Sequence, residues 1–149
     1  MTSWTKNRNL VPKARHPRGV IDTSVVIDLD RIDPENLPTE VAISAVTLAE
    51  LAAGPHATDE PAERARRQDR LQRAESTFDP LPFDGDAARA YGRIFATVVE
   101  GGRKARGRRA LDLLIAATAA AAGLPLYTRN PDDFTGLEDI VEVAAIQTR

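Results

Sequence analysis

Asp22, Glu50, Asp112 and Asn130 each end or follow a short apolar run, and Asp132 and Asp133 stand close behind the last of them. The chain holds 22 Asp and Glu but only two histidines, His16 and His56, and no cysteine. Disulfides, thiolate metal sites and cysteine nucleophiles are excluded, and imidazole chemistry is starved of residues. Carboxylates gathered in one place repel one another, so their grouping makes sense mainly around a cation. All-oxygen donors favour Mg2+ or Mn2+ over zinc. A hard divalent ion in such a pocket usually serves phosphate chemistry, and the expected reaction is phosphodiester hydrolysis. Each residue also has a plain structural reading. Asp22 with Thr23 fits a capping pair at a strand-to-helix turn, and Asp112 fits a charge that favours the first turn of a helix. Asn130, Asp132 and Asp133 fit an Asx turn and cap. Glu50 fits an edge residue in water, although Ala49, Leu51, Ala52 and Ala53 surround it. The argument for chemistry therefore rests on order and common placement.

Short strands must bring these positions together. Gly19 to Asp22 is apolar and ends in Asp22, and Thr23 and Ser24 place a hydroxyl near the N-cap of a helix. Val41 to Ser44 reads as a second strand, after which Thr47 opens a helix that carries Glu50 and stops at Gly54 and Pro55. Glu60 to Ser76 is a solvated helix crowded with arginine. Leu81 to Phe83 is a short strand or connector. Asp86 caps a helix with Tyr91, Ile94, Phe95, Val98 and Val99 on its apolar face, ending at Gly101 and Gly102. A basic loop with Arg103, Lys104, Arg106, Arg108 and Arg109 precedes a helix defined by Leu111, Leu114, Ile115 and Thr118, with Asp112 in its first turn. Leu126 to Thr128 is a strand, Asn130 and Pro131 begin a turn, and a strand near Val141 to Ile146 closes the chain. Strands alternating with helices predict an α/β fold, a parallel sheet with helices on both faces. In such sheets ligands bind beyond the carboxyl ends of the strands, where the acidic positions fall.

At 149 residues the chain is one domain, with 42% hydrophobic residues to fill a core. Residues 1–18 contain five of the 20 basic residues and no apolar signal segment. They read as a basic, disordered arm preceding a domain over residues 19–149. The arm fits a solvated leader, an electrostatic contact for nucleic acid, or an overlong gene start with Val20 as the candidate true start. The alanine-rich stretch near Leu113 to Leu126 is shorter than the ~20 residues that span a bilayer. No membrane segment is expected, and the lack of cysteine fits the cytoplasm.

These residues resemble the PIN-domain ribonucleases, and more narrowly the VapC toxins of bacterial toxin–antitoxin pairs. The resemblance lies in V-I-D-T-S-V-V-I-D at 20–28, A-I-S-A-V-T-L-A-E-L-A-A-G at 42–54, L-P-F-D at 81–84, R-A-L-D-L-L-I-A-A-T-A at 109–119 and Y-T-R-N-P-D-D-F at 127–134. It implies a three-layer α/β/α domain with a short twisted parallel sheet. It also implies Mg2+-dependent endoribonuclease activity, a homodimer, and a VapB-like antitoxin whose tail occupies the active groove. Carried over by position, Asp22 and Asp112 are the principal metal ligands, and Glu50 binds metal or orients water. The fourth acidic position of the wider fold falls on Asn130, with Asp133 or Asp132 available to compensate. Thr23, Ser24 and Thr128 order the site through their hydroxyls. The basic loop and the charged helix are expected to contact RNA. Two rival readings remain: a haloacid-dehalogenase-type phosphatase, which wants a second Asp where Ser24 stands, and a non-catalytic module of the same fold that binds RNA or protein.

Overall fold

The computed structural model describes residues 5–6 and 16–148. Its sheet runs β1 (Thr5–Lys6), β3 (Glu40–Ala42), β2 (Arg18–Ile21), β4 (Leu126–Thr128), β5 (Val143–Ala145). The last four are parallel, and β1 pairs antiparallel with β3. Most of the expected N-terminal arm lies outside the described residues. Arg18 already belongs to β2, pairing with Glu40 in register.

Alternation along the strands builds three layers. Val20 and its partner Leu126 enter one apolar cluster, whereas Ile21 and its partner Tyr127 enter the other. Successive side chains of a strand point to opposite faces, so two short buried strands suffice to separate two cores. One cluster is closed by α4 (Gly85–Glu100) and α5 (Arg108–Ala121), through Ile94, Val98, Leu113 and Ile115. The other is closed by α1 (Thr23–Ile27), α2 (Ala45–Ala53) and α3 (Pro61–Thr77), through Val25, Leu51 and Ala74. At Gly19 an added Cβ would lie 2.6 Å from Tyr127 Cε1, so only glycine lets β2 pass beneath that ring.

Several helix starts differ from expectation for one reason: a capping oxygen must reach the amide three residues on. Ser44, not Thr47, caps α2, because its Oγ accepts from the Thr47 N–H at 3.0 Å. Asp84, not Asp86, caps α4 by accepting from the Ala87 N–H at 3.0 Å, and Asp86 pairs with Arg89 in the first turn instead. The apolar seam of α4 is also rotated. Ala87, Ala90, Ile94 and Val98 are buried, while Phe95 and Val99 are 43% and 52% exposed. A helix buries one stripe, and small alanines continue the stripe of Ile94 and Val98, which turns Phe95 and Val99 outward. In α5, Leu113 and Ile115 to Ala119 are buried almost all round, whereas Leu111 faces out. Leu81 contributes a single parallel bridge to Ser44, and the last strand is the inner half of the expected segment.

Candidate active site

The parallel strands β2 and β4 end side by side, and the segments beyond their carboxyl ends form one floor. Asp22 is the N-cap of α1: its Oδ1 accepts from the Val25 N–H at 3.1 Å and from the Ser24 hydroxyl at 2.6 Å. Ser24 in turn accepts from the Arg129 N–H at 3.1 Å, tying the end of β4 to the Asp22 carboxylate. The capping reading of Asp22 is thus correct, and both of these bonds fall on Oδ1. Asp22 is only 4% exposed, and burial pushes its carboxyl above the usual range. Hydrogen bonds from Ser24, Thr128 and the Val25 and Ser24 amides oppose that shift.

Glu50 reaches the same floor from α2. The Thr23 hydroxyl donates to Glu50 Oε1 at 2.7 Å and lies 3.1 Å from the buried Thr47 hydroxyl, which lies 3.3 Å from Ser44 Oγ. A hydroxyl carries one proton, so a chain of donors runs Ser44, Thr47, Thr23 and ends on Glu50. Ser44 and Thr47 were not among the expected site residues, although the Ser-x-x-Thr spacing ahead of an apolar helix was a legible cap signal.

Asp112 is the fifth residue of α5, so it lies in the second turn and not the first. Its reason for being there is not the helix dipole. Partial burial, then the negative charges of Asp133, Asp22 and Glu50, push its carboxyl up to about 7, and Arg108 alone pulls it back. Asn130 N–H donates to Thr128 Oγ1 at 3.0 Å and begins a 3-10 turn over Pro131–Phe134. Arg109 donates to the Asp133 carbonyl at 3.0 Å, and Phe134 anchors the turn in the core.

Asp22, Thr23, Ser24, Glu50, Asp112, Asn130 and Asp133 all line one groove of about 980 Å3. Asp133, and not Asp132, faces it; the Asp132 carbonyl instead accepts from the Thr135 hydroxyl. Thr128 lies beneath, fully buried. Of the five basic-loop residues only Arg108 lines the groove. Arg103 donates to the Thr135 carbonyl and Arg109 supports Asp133, while Lys104 and Arg106 are exposed away from the lining. Sequence spacing does not single out Arg129, whose guanidinium pairs with Asp28 at the groove edge.

The donor chemistry suits a hard divalent ion, since every acid on this floor offers oxygen and the charge at Asp112 is disfavoured by its acidic neighbours. Among the described residues no three acids are already drawn into a closed cage, as expected for like charges facing one another across a groove.

The raised carboxyls make stability depend on pH in a defined sense. A carboxyl whose folded pKa lies above its unfolded value binds protons more tightly when folded, so its stabilising effect is present at low pH and is lost as pH rises from about 3.8 to about 7. In EDTA the protein is expected to melt about 3 °C higher at pH 5.5 than at pH 7.5, taking roughly 1 kcal/mol for the partly exposed Asp112 after solvent screening. Asp112→Asn flattens that difference and melts above the wild type at pH 7.5. Scanning calorimetry at the two pH values checks both, and a wild type that melts higher at pH 7.5 contradicts the assignment.

The family model of the PIN domain matches residues 19–139, and the chain belongs to that family. Within it the chain belongs with the VapC ribonucleases of toxin–antitoxin systems. It is 39% identical over 132 residues to ribonuclease VapC5 of Mycobacterium tuberculosis, covering 87% of this chain and 94% of that protein. It is 29% identical to ribonuclease VapC1 of Rickettsia felis, covering 87% and 97%. Its structure superposes on the toxin–antitoxin complex VapBC-5 of Mycobacterium tuberculosis with a TM-score of 0.75, over 89% of this chain and 99% of that one. FitAcB of Neisseria gonorrhoeae matches with a TM-score of 0.62 at 28% identity, over 83% and 94%. The three-layer expectation holds, and the dehalogenase-type phosphatase reading has no place in this fold. No helix among the described residues is long and apolar enough to cross a membrane.

Proposed function

We propose that this protein is a Mg2+-dependent endoribonuclease toxin that hydrolyses RNA phosphodiester bonds and is silenced by a VapB-like antitoxin. The observation that carries the reading is the convergence of Asp22, Glu50, Asp112 and Asp133 on one groove at the strand ends. In this reading Asp22, Asp112 and Glu50 hold the ion, with Mn2+ an acceptable substitute, and Asn130 and Asp133 complete the rim. The bound ion supplies positive charge to the scissile phosphate and lowers the pKa of a water. The chain's own groups do the positioning. Ser24 and the Val25 amide fix one oxygen of Asp22, so its carboxylate cannot rotate away. Thr23 fixes Glu50 Oε1 through the hydroxyl chain from Ser44 and Thr47, leaving Oε2 to face the ion or to orient the attacking water. In-line attack then leaves a 5′-phosphate and a 3′-hydroxyl. The reading includes cytoplasmic action and a homodimer, for which outward Phe95 and Val99 supply apolar surface.

The test is total RNA incubated with antitoxin-free protein in Mg2+ and in EDTA. Discrete fragments with 5′-phosphate ends appear only with Mg2+. RNA binding without turnover in either Mg2+ or Mn2+ would instead support a non-catalytic binding module.

A further inference from the structure

The groove is acidic at its centre, yet four arginines line it: Arg67, Arg70, Arg108 and Arg129. Their partners divide them. Arg129 is paired with Asp28. Arg67 is paired with Glu63 at 2.8 Å and also donates to the Gly54 carbonyl at 2.9 Å, bracing α3 against the end of α2. Arg70 and Arg108 have no hydrogen bond or ion pair among the described residues, although both border the groove. Arg70 stands three residues after Arg67 on α3, a spacing that keeps both on one helix face, and it is half-buried. Arg108 opens α5, four residues before Asp112. Two guanidinium groups without a hydrogen bond or ion pair among the described residues therefore border the groove from two separate helices, Arg108 also drawing on the charge of Asp112.

An acidic floor repels a polyanion, and a cation held by the acids offsets charge only at the reacting phosphate. Guanidinium groups suit the neighbouring phosphates because they stay charged and donate two parallel hydrogen bonds. We infer that Arg70 on α3 and Arg108 on α5 are RNA-positioning residues that bind backbone phosphates on either side of the scissile one, so that the strand crosses the groove from α3 to α5. This rests on the nuclease reading above. It narrows the expected contact to Arg108 of the basic loop, without Lys104 and Arg106, and to Arg70 of α3, a helix whose other arginines are held by Glu63, Asp69 or backbone carbonyls.

The experiment separates binding from cleavage. Binding of a fluorescent single-stranded RNA oligonucleotide is measured in Mg2+ across a range of salt, in an Asp112→Asn background that binds without turnover. Arg70→Ala or Arg108→Ala weakens binding roughly tenfold and lowers the slope of log affinity against log salt by about 0.7 each. Arg70→Lys recovers part of the affinity, and Arg66→Ala, at an exposed position that does not line the groove, changes neither quantity. In an otherwise wild-type chain, Arg70→Ala raises KM for RNA while kcat at saturation stays close to wild type. An unchanged affinity and slope for Arg70→Ala overturns the inference, as does an Asp112→Asn protein that binds no RNA. Wild-type cleavage alongside either result leaves the nuclease reading standing, so the two can fail separately.

Discussion

Asp112→Asn lowers the rate of RNA cleavage at least a hundredfold while the protein stays folded. A hundredfold corresponds to about 2.7 kcal/mol of lost transition-state stabilisation, within what one ligand to a catalytic divalent ion supplies. The substitution is sterically silent, and it removes a charge that the fold holds at a disadvantage beside Asp133, Asp22 and Glu50. Loss of activity therefore comes with a gain in stability at neutral pH, the opposite of what a damaged fold would show. Asp22→Asn is a less clean test, because Asp22 also caps α1 and receives the Ser24 hydroxyl. Cleavage assays of wild type and Asp112→Asn, with melting curves in EDTA, check the pair of outcomes. Full activity in a folded Asp112→Asn protein would remove Asp112 from the mechanism.

Phe134→Ala has the largest expected effect on stability and carries activity with it. Phe134 is 2% exposed, packs in the cluster of α4 and α5, and closes the turn that presents Asn130 and Asp133. Truncating such a ring costs about 3 to 5 kcal/mol through lost burial and the cavity left behind, roughly 10 °C in Tm for a chain of this size. Ile94→Ala is the control. Ile94 is fully buried in the same cluster but sits on α4, which contributes nothing to the groove lining. Both variants lose stability by comparable amounts. Assayed well below their melting points, Ile94→Ala cleaves RNA like wild type, whereas Phe134→Ala is impaired because its turn no longer holds Asp133 against Arg109. Equal activity of the two would show that the turn needs no anchor to present its side chains.

The two central strands were legible because burial on both faces demands a continuous apolar run, and Val20-Ile21 and Leu126-Tyr127 provide it. Cap positions were less so. Thr47 and Asp86 carry the right chemistry as well, and the backbone geometry decides that Ser44 and Asp84 are the ones that reach the free amides. The outward turn of Phe95 and Val99 was hidden for a related reason: spacing marks two overlapping stripes on α4, and the choice between them depends on which one α5 can pack against.

The sequence by itself determined which chemistry is open to this protein. Its acids, its lack of cysteine and the order of Asp22, Glu50, Asp112 and Asn130 along the chain are facts of composition and spacing, and they support the proposed hard-cation phosphate chemistry without any coordinates. Tertiary structure alone decided which members of that set share a groove. It selected Asp133 over its neighbour Asp132, brought Ser44 and Thr47 behind Glu50, and left Arg70 and Arg108 without an ion pair among the described residues while Arg67 and Arg129 were neutralised. Those choices depend on distances between residues far apart in the chain. A carboxylate or a guanidinium takes its charge state and its partner from whatever the fold places within a few ångströms, and that neighbourhood is not written in the local sequence.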